Sequence, residues 1–126
     1  MPTEGGLERR KYPRVERSFT MRAKAKEAQE LRWELPQMRN ISLGGCYFHS
    51  AVSYQEGQCL ELEIKLPALK EPFQCTGLVR RIEPLREGMM DYLGVGLEFI
   101  DLQDDIKEKL KKIIDFTLAR QQKRES

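Results

Sequence analysis

Residues 60–66 constrain this chain more than any other stretch. Leu60, Leu62, Ile64 and Leu66 alternate with Glu61, Glu63 and Lys65. That is the period of two that sends successive side chains to opposite faces of a strand. A strand with one apolar and one charged face needs other strands beside it and a layer over its apolar side. The rest of the chain supplies them. From Val15, the set Val15, Arg17, Phe19, Met21, Ala23 and Ala25 alternates with a polar set, Arg17 being the exception on the inner face. Leu31, Trp33 and Leu35 alternate with Arg32 and Glu34 as a returning hairpin strand, with Pro36 limiting it to an edge or a bulge. Residues 46–49 form a short strand after the run at 40–45, and a turn is expected at 55–58.

Downstream, residues 73–82 read as a strand with Gly77 as a candidate bulge, and 83–91 as a charged turn. Residues 92–99 form a last strand, with Leu93, Val95, Leu97 and Phe99 on one side and Gly94 and Gly96 on the other. A bare glycine face allows another group to lie flat against it. Asp101 is the expected N-cap of a closing helix. Asp104 and Asp105 suit its positive end, and Ile106, Leu110, Ile113 and Thr117, widened by Ile114 and Leu118, form an apolar stripe. Many short strands and one terminal helix predict an all-β antiparallel barrel or sandwich with a C-terminal helix.

Composition narrows the function. The chain has 126 residues, enough for one domain with a core, and a net charge of only +2 although 33% of its residues are charged. A generally basic nucleic-acid coat is excluded, so any anion site must be local. Cys46, Cys59 and Cys75 form no CxxC pair and sit in strand patterns, so they are expected to be buried thiols in a reducing compartment. No apolar run approaches the roughly 18 residues of a membrane span. The N-terminus has no signal-peptide core, and a cytoplasmic protein is expected.

Two polar stretches stand outside the strand pattern. Residues 40–45 read Asn-Ile-Ser-Leu-Gly-Gly, and residues 9–14 read Arg-Arg-Lys-Tyr-Pro-Arg. Arg10 and Arg14 carry guanidinium forks that pair with phosphates and with the O6/N7 edge of guanine, in a segment that Pro13 keeps from being a regular helix. Asn40 offers a donor and acceptors, and Ser42 a hydroxyl. Gly45 lets a backbone approach a ligand closely or take positive φ. Alone, the second stretch reads as a turn and the first as a solvated arm. Together they suit a purine edge beside a phosphate.

The pairing of Arg10-xxx-Arg14 with Asn40-x-Ser42-x-x-Gly45 resembles the double signature of PilZ domains, the bacterial receptors for cyclic di-GMP. The likeness extends to the surrounding run at 8–15 and to Gly94-Val95-Gly96-Leu97-Glu98-Phe99 before the helix. It implies a six-stranded antiparallel β-barrel (a PilZ-like split barrel) with a C-terminal helix. The implied layout is a flexible tail at 1–8, the ligand-binding domain at 9–118 with its helix from about 101, and a basic polar tail at 119–126. In that scheme Arg10 and Arg14 grip the phosphates and guanine edges, Asn40 and Ser42 meet a guanine, and Gly45 lets the turn fit. Arg9, just before the motif, implies an intercalated ligand dimer. Gly96 is a candidate floor under a base, and Arg80 a strand-face charge.

The implied protein is no enzyme. Paired catalytic carboxylates, a Ser-His-Asp constellation, a Walker loop and metal-ligand spacing are all missing from the sequence, and His49 stands alone. No cofactor is expected beyond the ligand, cyclic di-GMP, and the signal would pass through an unidentified protein partner. Two other readings are a PilZ-like adaptor that binds no ligand and an OB-like single-strand nucleic-acid binder. The latter needs aromatics on a basic strand face, and Tyr47, Phe48 and Tyr54 are scattered, so no nucleic acid is expected.

Overall fold

A computed structural model describes residues 19–26, 33–67 and 69–125. Arg9, Arg10, Arg14, the tail at 1–8 and the start of the first expected strand lie outside the described residues. Six strands follow one another: β1 (Thr20–Ala25), β2 (Gln37–Ile41), β3 (Gly45–Ser50), β4 (Cys59–Lys65), β5 (Phe73–Glu87) and β6 (Met90–Phe99). A helix, α1 (Asp104–Glu125), follows them. The strands form one antiparallel sheet in the order β1-β4-β5-β6-β3-β2.

The two outer strands of that order meet. Ala23 of β1 and Glu34, just before β2, exchange a reciprocal pair of backbone hydrogen bonds at 2.9 and 2.8 Å. The sheet thereby curls round on itself as a half-barrel joined at this bridge. The interior is one apolar cluster. Leu60, Leu62 and Ile64 are the inward set of β4, Met21 and Ala23 of β1, Phe48 of β3, and Val95 and Leu97 of β6. Leu110 and Ile114 of α1 join the same cluster, so the helix covers the barrel with the stripe its sequence lays out. Each fully buried leucine or isoleucine contributes roughly 1.5 to 3 kcal/mol, so the alternation in β4 stabilises the barrel as well as ordering it.

Several local expectations are corrected by longer-range contacts. The segment 33–36 makes only the Glu34 bridge, and the strand begins after Pro36. Leu35, placed on the inner set by alternation, is exposed. Trp33 instead lies under two cations, with the Arg22 guanidinium 4.4 Å and the Lys24 ammonium 4.7 Å from its ring centroid. The expected charged turn at 83–91 is a continuous hairpin. β5 runs on to Glu87, Gly88 takes φ 62°, and β6 starts at Met90. Pro84 is tolerated there because β4 pairs with β5 only as far as Leu78, which leaves that part of β5 an edge. The bulge of β5 lies between Val79 and Arg81, not at Gly77.

Asp101 does not cap the helix, which begins at Asp104. Its carboxylate accepts hydrogen bonds from the Thr76 backbone N–H and, at 2.9 Å, from the Thr76 hydroxyl, strapping the β6–α1 connection to β5. The helix extends through Glu125, so the expected tail from 119 is helical over 119–125. Cys46 and Cys75 are buried, and Cys59 is half-buried. Burial, and then the nearby Asp101 carboxylate, push the Cys75 thiol up to about 12. No helix among the described residues is long and apolar enough to cross a membrane.

Glu34 closes the barrel with its backbone and pins the loop after β3 with its side chain. Its carboxylate accepts from the Ser50 hydroxyl at 2.8 Å, the Tyr54 hydroxyl at 2.9 Å and the Ala51 N–H at 3.0 Å. Replacing Glu34 by Ala removes three charge-assisted acceptor bonds and leaves the buried Tyr54 hydroxyl without its partner. Urea unfolding of Glu34→Ala is expected to show a loss of about 2 kcal/mol. Equal midpoints for variant and wild type would show that the clamp contributes nothing.

Candidate functional site

The polar run that draws attention in the sequence divides between three elements. Asn40 and Ile41 end β2, Ser42 to Gly44 make the turn, and Gly45 opens β3. The turn holds itself tightly. The Ser42 N–H donates to the Gly45 carbonyl at 2.8 Å, and the Ser42 hydroxyl accepts from the Gly44 N–H at 3.1 Å. On the β6 side, the Phe99 N–H donates to the Gly44 carbonyl at 2.8 Å. Ser42 is buried, so its first role is to shape the turn.

Gly45 is required by close approach rather than by a left-handed backbone. Among the described residues only Gly57 and Gly88 have positive φ. A Cβ on Gly45 would fall 1.9 Å from the Leu97 carbonyl oxygen, which no side chain can accommodate. The close approach that Gly45 permits here is to the backbone of the neighbouring strand, and the alternative expectation of a positive φ is not met.

The register places the site residues in one row on the outer wall. Ile41 and Met38 face the core, so Asn40 faces outward opposite Tyr47. Tyr47 pairs with Gly96, and Gly96 with Arg81. Gly94 lies in the next row, between His49 and Glu83. The Tyr47 ring crosses that glycine: its hydroxyl would lie 2.0 Å from a Cβ on Gly94 and donates to the Glu83 carboxylate. Burial first, then Glu83, push the Tyr47 hydroxyl up to about 12. His49 meets Tyr47 edge-on, with centroids 5.5 Å apart, and Tyr92 at 5.1 Å. Burial first, and then Arg39, hold its imidazole below the usual histidine range.

Gly96 differs from Gly94. A Cβ there would stand 3.7 Å from the Arg81 Cβ and 4.0 Å from the Tyr47 ring, ordinary contact distances. Gly96 is therefore buried under Tyr47 and Arg81 at ordinary van der Waals distance, while the space over Gly94 is filled by the tyrosine hydroxyl.

Asn40, Ser42, Gly45 and Gly96 are thus brought to one region, where the β2–β3 turn meets the outer wall of β3 and β6. Tyr47 and Arg81 join them there and are missed by the motif. Tyr47 was legible from alternation, since Cys46 and Phe48 point inward. Arg81 was concealed by the bulge, which turns both Arg80 and Arg81 outward. Arg80 is held by Glu98 in an ion pair at 2.9 Å, as a strand-face charge. Among the described residues no three metal-ligating side chains gather.

Fold and wall together define a class: a small antiparallel β-barrel with a covering helix and a tightly stapled polar turn at the end of its outer wall. The PilZ domain model matches residues 8–116, and the chain belongs to the PilZ domain family. No curated protein matches the chain by sequence. Solved structures share the fold. The motility inhibitor MotI/DgrA of Bacillus subtilis superposes with a TM-score of 0.68 at 23% identity, over 91% of this chain and 52% of that one. The PilZ domain of Escherichia coli YcgR, solved with c-di-GMP, gives 0.68 at 15% identity over 92% of this chain and 96% of that one. The K. pneumonia MrkH–c-di-GMP complex gives 0.69 at 18% identity over 94% and 55%. The chain therefore spans about half the length of MotI and MrkH, and nearly all of the isolated YcgR domain.

The two glycines give a paired test. Gly45→Ala must push β3 away from β6 and is expected to destabilise the fold by about 3 kcal/mol or more in urea unfolding. Gly96→Ala is expected to cost less than about 1 kcal/mol. Equal losses would contradict the assignment of Gly45 to close approach and Gly96 to ordinary contact.

Proposed function

We propose that the chain is a receptor for cyclic di-GMP that orders its N-terminal arginine arm on ligand binding and signals through a protein partner. One observation carries the reading. Both halves of the PilZ signature stand in order within the family match, and the described half, Asn40, Ser42 and Gly45, converges on the wall that also holds Gly96. The c-di-GMP complexes of YcgR and MrkH, which share the fold, support the same ligand.

In this reading Arg10 and Arg14 grip the phosphates and guanine edges, and Asn40 meets a guanine. Ser42 and Gly45 hold the turn at the distance that allows it. Hydrogen bonds to charged groups contribute roughly 1.5 to 3 kcal/mol each, so four or five supply about 8 kcal/mol, a micromolar affinity, before the cost of ordering the arm is subtracted. That cost makes the arm a switch, because the ligand selects an arrangement the free protein rarely holds. Arg9 extends the site to a second, intercalated ligand. The protein has no catalytic part in this scheme and needs no metal or cofactor. Its binding unit is residues 9–118, and its place is the cytoplasm. The processes controlled are of the motility, biofilm or virulence type.

Isothermal titration of the purified chain with cyclic di-GMP is expected to give micromolar binding at two ligands per protomer. Arg14→Ala and Ser42→Ala are each expected to abolish the heat. Variants that bind as wild type does would remove the site assignment, and a ratio near one would remove Arg9 from it.

A further inference from the structure

The row that contains Asn40 is flanked by two irregularities of the same kind. β2 bulges between Met38 and Asn40, leaving Arg39 as its extra residue, and β5 bulges between Val79 and Arg81. The regular β3–β6 pair lies between them, and Arg81 sits on the row itself. A bulge re-aims side chains that strict alternation would bury, and here both flanking strands turn an exposed arginine outward at the same level.

The charges of this part of the molecule do not cancel uniformly. Arg22 pairs with Glu63, Arg80 with Glu98 and Arg86 with Asp91. Among the described residues Arg39 and Arg81 take part in no ion pair. Of the nearby carboxylates Glu98 is held by Arg80, whereas Glu83 accepts the Tyr47 hydroxyl and keeps its charge without forming an ion pair to either arginine. Arg81 instead stands 5.6 Å over the Tyr47 ring centroid, with its Nε 3.8 Å from the Cβ position above Gly96.

We infer that Arg39 and Arg81 form a second pair of ligand-binding guanidiniums, fixed to the barrel wall and separate from the arm. Arg81 stacks on, or forks to, the purine that enters over Gly96, and Arg39 faces a phosphate from the other side of the row. This rests on the cyclic di-GMP reading and adds to it residues outside both sequence motifs. The chemistry is that of a planar cation held over an aromatic ring, the two together covering Gly96. A flat base that enters there lies against the Tyr47 ring as the exposed Arg81 fork moves from the glycine onto the base. Tyr47 is the positioning residue, because its bond to Glu83 keeps its ring flat against Gly94 and so sets the height of Arg81.

Calorimetric titration with cyclic di-GMP, run on wild type, Arg81→Gln, Arg39→Gln and Arg80→Gln, tests the inference. Arg81→Gln is expected to weaken binding roughly ten- to hundredfold, and Arg39→Gln about tenfold. Arg80→Gln, adjacent but ion-paired, stays within about twofold of wild type. Arg81→Lys, which keeps the charge and loses the planar fork, is expected to fall between wild type and Arg81→Gln. All three arginine side chains are exposed, so thermal midpoints should agree and unfolding cannot mimic the loss. Wild type that binds while Arg81→Gln binds equally well overturns the wall pair and leaves the receptor reading standing. An equal loss in Arg80→Gln and Arg81→Gln also overturns it, since general charge would then explain both. Wild type that does not bind overturns the receptor reading, and the wall pair with it.

Discussion

The approach of Gly45 to the Leu97 carbonyl is the contact on which the site geometry depends. It lets β3 start flush against the end of β6, with the turn bonded to Gly45 on one side and to Phe99 on the other. From that fixed corner the antiparallel register runs without a shift along β3 and β6. Tyr47 therefore falls opposite Gly96, and His49 opposite Gly94. A side chain at residue 45 would part the two strands, and the row from Asn40 to Arg81 would lose its alignment. The motif glycine thus acts through the sheet before it acts on any ligand.

Ser42 supports the same interpretation. Its hydroxyl is spent on the Gly44 N–H and the Gly45 carbonyl, the latter at 3.4 Å. A serine that forms both bonds inside a three-residue turn fixes where the neighbouring amides point. The side chain and the backbone of this turn cannot be assigned separate functions, because the turn shape is made by the side chain.

Much of this was legible in the sequence. Period-two alternation gave β4 almost to the residue, and the glycine face of β6 was visible as such. The six-strand count and the closing helix followed from pattern and resemblance together. What was not legible depended on partners far away in the chain. Asp101 looked like a helix cap because its near neighbours allow it, but Thr76, twenty-five residues earlier, offers two donors. Glu34 looked like a solvent-facing strand residue, yet Ser50, Ala51 and Tyr54 converge on its carboxylate. Residues 83–87 looked like a turn because they are charged, whereas an edge ribbon tolerates charge on every side. Bulges were the least visible of all. Each shifts the phase of a strand by one, so alternation from Val79 turns Arg80 outward and hides Arg81.

The wall pair also bears on how an arginine arm could act as a switch. If, as proposed, Arg10 and Arg14 come to this wall, four guanidiniums meet in a space where Glu83 forms no ion pair with Arg39 or Arg81. Like charges about 4 Å apart repel by roughly 1 kcal/mol in water, and by about 4 kcal/mol at the effective dielectric of a protein surface. Without an anion between them, the wall therefore disfavours the closed arm. A dianionic dinucleotide reverses the sign, since each phosphate faces cations on two sides and the bases lie over Gly96. The unpaired arginines would then have two effects from one cause: they hold the arm off while the site is empty, and they draw the ligand that lets it close. An arm gripping a neutral wall would lack the first effect and would close more readily without ligand. In the proposed receptor, the guanidiniums in excess on the barrel would thus be what couples occupancy to arm position.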